Sequence, residues 1–98
     1  MAVLKFLPKV TEDFDRILAH LQTHDVPDGG SRVAAIVDAL SVLEQNPLIG
    51  RPTPKGDREL VMGQRTKGYV ALYRYVQFLD TVFVLAVRSQ REAGYRDG

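Results

Sequence analysis

The apolar positions of this 98-residue chain change period twice. Residues 2–7, Ala-Val-Leu-Lys-Phe-Leu, are few and rich in strand formers, which predicts an opening β-strand. Pro8 stops that strand and suits the first turn of a helix. From Lys9 the spacing becomes helical: Val10, Phe14, Ile17, Leu18 and Leu21 share one face of a helix ending near Thr23. Glu12 and Asp13 stand near its start, where the helix dipole favours acids. The run Asp25-Val26-Pro27-Asp28-Gly29-Gly30 breaks it. A second helix then begins between Pro27 and Ser31, with Asp28 or Ser31 as cap. Its apolar face is Val33, Ile36, Val37, Leu40 and Leu43, and Asn46-Pro47 ends it. The two form an antiparallel helical hairpin.

Residues 47–57 hold three prolines and two glycines and read as a loop. Beyond it the period returns to two. Arg58–Gln64, Tyr69–Gln77 and Thr81–Arg88 read as three strands, turned at Thr66-Lys67-Gly68 and near Leu79-Asp80. Short connections make them an antiparallel meander, and residues 89–98 form a polar tail. The order β-α-α-β-β-β describes a single α+β domain over residues 1–98. In this two-layer architecture a helical hairpin packs on one face of an antiparallel sheet. No third layer is encoded, so the other face is left to water or to a partner.

Alternation places Tyr69, Ala71, Tyr73 and Tyr75 on one face of their strand, and Val70, Leu72, Arg74 and Val76 on the other. On the last strand Phe83, Leu85 and Val87 oppose Val82, Val84, Ala86 and Arg88. A buried unpaired guanidinium is too costly, so Arg74 and Arg88 mark the uncovered face. Their bland alternative is pairing with local acids such as Glu59 or Glu92. The three tyrosines read as core rather than as a stacking platform.

Composition changes this picture little: 45% hydrophobic and 26% charged residues are ordinary for a globular protein. The absence of cysteine excludes disulfides and thiolate metal sites and suits a reducing cytosol. No run nears the ~20 apolar residues of a membrane span, and no signal peptide is expected. Net charge is +1, but unevenly spread. Residues 1–50 carry four Lys/Arg against seven acids, and residues 51–98 carry nine against five. The basic second half can attract an acidic partner.

The stretch "LSVLEQNPLIGRPTP" at residues 40–54 ends a helix in Asn-Pro and follows it with Gly-Arg-Pro. The stretch from Arg58, "RELVMGQRTKGYVALYRYVQFLDTVFVLAVRSQREAGYRDG", opens a strand on a charged residue. It then runs through a turn, an aromatic-x-x-x-aromatic-Arg-aromatic strand and a last strand of the "TVFVLAVR" type. In this order, and over nearly the whole chain, these features resemble the RelE/ParE toxins of type II toxin–antitoxin systems. The likeness is greater to the ParE-like, plasmid-stabilising members. That resemblance implies a toxin neutralised by a cognate antitoxin. ParE-like members bind and block DNA gyrase without cleaving anything, whereas RelE-like members cut mRNA in the ribosomal A site.

Cleavage of RNA needs a base for the 2′-hydroxyl, an acid for the 5′-oxygen and cations for the phosphorane. Arg58, Arg65, Arg74 and Arg88 are candidate cations. The acid–base pair is harder to find. His20 and His24 lie on or just after the first helix, far in sequence from the sheet, and read as solvated. Ser89, in the run Val87-Arg88-Ser89-Gln90-Arg91, stands where many relatives carry histidine. Val70 stands where nuclease relatives often carry arginine. Glu59, a possible base, alternates onto the face opposite Arg58. Tyr95, a possible acid, belongs to a residue type with a free pKa of about 10. The expectation is therefore a gyrase-binding inhibitor with Arg58, Arg74, Arg88, Arg91 and Tyr95 as target- or antitoxin-binding residues. The alternative is a ribosome-dependent mRNA endonuclease. No cofactor and no metal is expected: the His20/His24 pair has metal-ligand spacing, but no third ligand stands nearby except Asp25. The glycines read as turns rather than as a phosphate loop.

Overall fold

The computed structural model describes residues 1–24, 29–63 and 68–91. Strand β1 (Val3–Phe6) leads into helix α1 (Pro8–Thr23) and helix α2 (Gly29–Leu40). Strands β2 (Arg51–Pro52), β3 (Arg58–Met62), β4 (Tyr69–Val76) and β5 (Thr81–Ser89) follow. They form one five-stranded sheet in the order β1-β5-β4-β3-β2. The α+β fold is the expected one, with two differences. Arg51 and Pro52, expected in a loop, pair with Glu59 and Arg58. β1 lies parallel to β5, so the sheet is mixed rather than antiparallel. Short connections fix the direction of β3, β4 and β5, but none joins β1 to β5, and alternation carries no sign of polarity.

Helix α1 starts as its sequence dictates. Pro8 occupies the first turn, where its missing N–H is no loss, after an extended Leu7. Val10, Ile17 and Leu21 are buried, and Phe14 packs beside Phe6 with ring centroids 6.5 Å apart. In α2, Ile36 and Leu40 are buried, while Val37, expected on the same face, is exposed. Ser31 lies inside α2 and so does not cap it; Asp28 is outside the described residues. The helix tightens into a 3-10 turn at Ser41–Glu44, which keeps Leu43 in the core.

Both helices pack on one face of the sheet, against Met62, Ala71, Tyr73, Val82, Val84 and Val87. Tyr73 is wholly buried, and Tyr69 and Tyr75 border the same cluster. No described helix lies over the far face. There Val61 is 46% exposed and Arg74 stands opposite Phe83, although Val70 and Ala86 are buried.

Strict alternation fails on β5. The register moves from Leu72↔Ala86 to Tyr73↔Val84, so Leu85 is an extra residue in a β-bulge. Val82 and Val84 face the helices before the bulge, and Val87 does so after it. The single face expected for Val82, Val84, Ala86 and Arg88 is therefore split. Arg88 reaches the far face, opposite Val70, because the bulge turns it there.

Candidate functional site

Past Val84 the edge of β5 loses its neighbour, because β1 ends at Phe6 and Leu7 makes the last bond, to the Val84 carbonyl. Helix α1 takes over with side chains. Asp13 Oδ2 accepts the Val87 N–H at 2.9 Å, and an Arg16 guanidinium nitrogen donates to the Val87 carbonyl at 3.2 Å. Asp13, near the helix start, is only 1% exposed. Lys9 Nζ lies 2.8 Å and Arg16 2.6 Å from its other oxygen. Burial opposes its charge, but the hydrogen bonds from Lys9, Arg16 and the Val87 amide outweigh that effect. Together they hold the carboxyl below its ordinary 3.8.

This latch fixes the second half of α1 against the end of β5, and a cleft of about 390 Å³ lies there. Ile17 and Leu21 supply apolar wall, and Tyr69 adds a ring at the start of β4. Arg16 and Arg91 bring positive charge. His20, from α1, lines the same cleft as Ser89, at the end of β5. The His20 ring stacks near that of His24, centroids 4.3 Å apart. Among the described residues no group of three or more His, Cys, Asp or Glu is placed to hold a metal.

A family model for the ParE toxin of type II toxin–antitoxin systems, parDE, matches residues 4–94. The chain belongs to the ParE toxin family. Among solved structures it is similar to the chromosomal ParDE system of P. aeruginosa, with 26% identity and a TM-score of 0.76 over 91% of this chain and 96% of that one. It also shares the fold of the RelBE2 complex of Mycobacterium tuberculosis, with 24% identity and a TM-score of 0.64 over 93% of each chain. The intact E. coli RelBE complex gives 17% identity and a TM-score of 0.63 over 94% of this chain and 100% of that one. No curated protein matches the chain.

In this ParE-family chain the described arginines among those singled out from sequence do not form one cluster. Arg58 pairs across the ladder with the core residue Tyr73. Its guanidinium donates to the carbonyls of Leu48 at 3.1 Å and Gly50 at 2.8 Å, tying the 48–50 loop to β3. Arg74 points to the far face and meets Asp57, at 2.6 Å, with a weaker contact to the Lys55 carbonyl. Pairing with a local acid thus holds for Arg74, through Asp57, while Glu59 meets Arg51 at 3.2 Å. Arg88, also on the far face, donates to the Ser89 carbonyl. Among the described arginines of the set, Arg91 is the one that lines the cleft. Arg65, Tyr95 and Glu92 lie outside the described residues.

Sequence reasoning missed Asp13, Arg16, His20 and Tyr69 as parts of one assembly. One signal was available: Asp13 falls on the apolar stripe, three residues after Val10 and four before Ile17, with Lys9 and Arg16 a helical turn to either side. A carboxylate there must be buried and must be paired.

Proposed function

We propose that this chain is a toxin that acts by binding DNA gyrase and that a cognate antitoxin protein neutralises it. The match of nearly the whole chain to the ParE toxin family carries this reading. The P. aeruginosa ParDE neighbour adds to it, and ParE-like toxins are the gyrase-binding branch of the resemblance. Arg58, Arg74, Arg88, Arg91 and Tyr95 are the residues we assign to target or antitoxin contact. Arg58 serves indirectly, by shaping the 48–50 loop. The chain works as one domain in the cytosol, and no described helix is long and apolar enough to cross a membrane.

One observation favours the second reading, ribosome-dependent mRNA cleavage. The imidazole missing from the last strand is brought to that strand's end by α1, since His20 shares a cleft with Ser89, Tyr69 and Arg91. This supplies a proton-transfer group beside a cation, although Ser89 itself has no such capacity near neutral pH. The readings separate in two assays on the purified chain. Gyrase inhibition predicts loss of supercoiling of relaxed plasmid and intact mRNA on programmed ribosomes. Toeprints showing A-site cuts that vanish in Arg74→Ala or His20→Ala, with supercoiling unaffected, would reverse the assignment.

A further inference from the structure

We infer that the β4–β5 corner and the neighbouring 46–49 segment form a surface that binds a second copy of this chain. Phe78 of one copy seats in the groove beside Tyr75 of the other, and the reverse. The pairing belongs to the chain itself and does not depend on which target it blocks.

Among the described residues Phe78 is the most exposed large apolar side chain, at 93%. It sits in the 3-10 turn Gln77–Leu79, between β4 and β5. Nothing in that turn requires a phenyl ring. The Asp80 N–H donates to the Gln77 carbonyl at 3.0 Å, and the Tyr75 hydroxyl donates to the Asp80 carboxylate at 2.7 Å. The Thr81 hydroxyl closes the corner on the Leu79 carbonyl at 2.9 Å. The ring therefore stands on a fixed base, and little backbone ordering accompanies its burial. Next to it runs a groove of about 650 Å³, walled by Pro47, Leu48, Ile49 and Tyr75. Asn46 and Gln77 add neutral polar groups, and no charged side chain lines the groove among the described residues. Arg58 holds the 48–50 loop through the Leu48 and Gly50 carbonyls, so this wall too exists before association.

Knob and groove are contiguous, since Gln77 lines the groove and Phe78 follows it. The Phe78 ring does not fold into its own groove, as its exposure shows. A two-fold axis between them lets each copy fill the other, which is the isologous arrangement of most dimers. The same end carries more apolar surface. Val3 joins the corner through its N–H bond to the Asp80 carbonyl at 2.9 Å, and Val3, Leu48, Ile49 and Leu79 are each more than half exposed. With Phe78 these side chains offer on the order of 500 Å², near the roughly 600 Å² per partner of a small specific interface. A patch of this kind marks an association site. A groove without cations has nothing to draw a nucleic acid or an acidic segment. Net charge of only +1 sets little repulsion against a second copy.

The test follows the full chain, purified alone, by sedimentation equilibrium from micromolar to millimolar concentration. The mass should rise from one chain to two and stop there. Phe78→Ser and Leu48→Glu should each weaken association about tenfold or more, as loss of a buried anchor does, while Val37→Ser, on exposed α2 surface, should alter it less than about twofold. Circular dichroism checks that each variant folds. Because the chain has no cysteine, single thiols give a second readout. Under mild oxidant, Phe78→Cys and Leu48→Cys chains should cross-link to one another faster than either does to itself. A chain that stays single to millimolar concentration would overturn the inference. So would dimers that survive both the Phe78 and Leu48 substitutions, or mixed thiols that link no faster than matched ones. A single chain whose amides at residues 77–81 exchange more slowly when gyrase is added would assign this end to the target instead.

Discussion

Gly50 and Tyr73 show how one residue's chemistry can dictate another's identity. The Gly50 N–H donates to the Tyr73 hydroxyl at 2.8 Å, inside the core. A Cβ on Gly50 would sit 2.6 Å from that oxygen and 2.8 Å from the Glu59 carbonyl, closer than any relaxed contact. Gly50→Ala should therefore cost about 2 kcal/mol in urea unfolding, as overpacking does. Tyr73→Phe removes the acceptor, leaves the amide unsatisfied, and should cost about 1–2 kcal/mol in the same measurement. Burial pushes the Tyr73 hydroxyl above its ordinary 10.0, with the Gly50 bond and Arg58 acting against that rise, so it stays a neutral acceptor through the physiological range. The glycine in the Gly-Arg-Pro run was visible in sequence as a turn residue. Its real constraint is close approach to a side chain 23 positions away, which local pattern does not encode.

At the scale of elements, both helices and the three long strands were legible because their apolar periods are clean. The direction of β1 was not, since it is set by a partner at the other end of the chain. Nor was the bulge at Leu85, because one extra residue in a run of strand formers leaves no local mark. That bulge overturned half of the face assignment on β5 and still left Arg88 on the uncovered side. The latch between α1 and β5 gives a prediction with a definite sign. Asp13 has a lower pKa folded than unfolded, so the unfolded chain takes up its proton first as pH falls. The latch is fully present above pH 3.8 and is lost as pH drops through the folded value. Asp13→Ala should cost about 3 kcal/mol at neutral pH, because it strands the Val87 amide and the paired cations. The variant's stability should also vary less between pH 5 and 3 than that of the unaltered chain. Hydrogen exchange should quicken at the Val87 amide more than at Val84, which lies beyond the latch. Equal acceleration along β5 would mean that Asp13 supports the strand only through general packing.

For the whole molecule, the layer count was readable and the site was not. Two amphipathic helices and one sheet predict a single covered face, and no described helix lies over the other. The cleft needs His20 beside Ser89, a convergence created by packing α1 across β5, and neither residue's neighbours foretell it. The arginines read as one positive surface are divided: Arg74 and Arg88 lie on the far face, Arg58 is committed to the 48–50 loop, and Arg91 is at the cleft. Inhibition by occupancy has a stoichiometry, whereas an enzyme does not. The decisive measurement titrates the purified chain into a fixed amount of gyrase and follows supercoiling, with message integrity on translating ribosomes read in parallel. For a gyrase-binding toxin, supercoiling should fall in proportion to added chain, reach zero near one chain per gyrase subunit, and leave the message whole. Unaffected supercoiling at excess chain, together with messages cut at far less than one chain per ribosome, would contradict it.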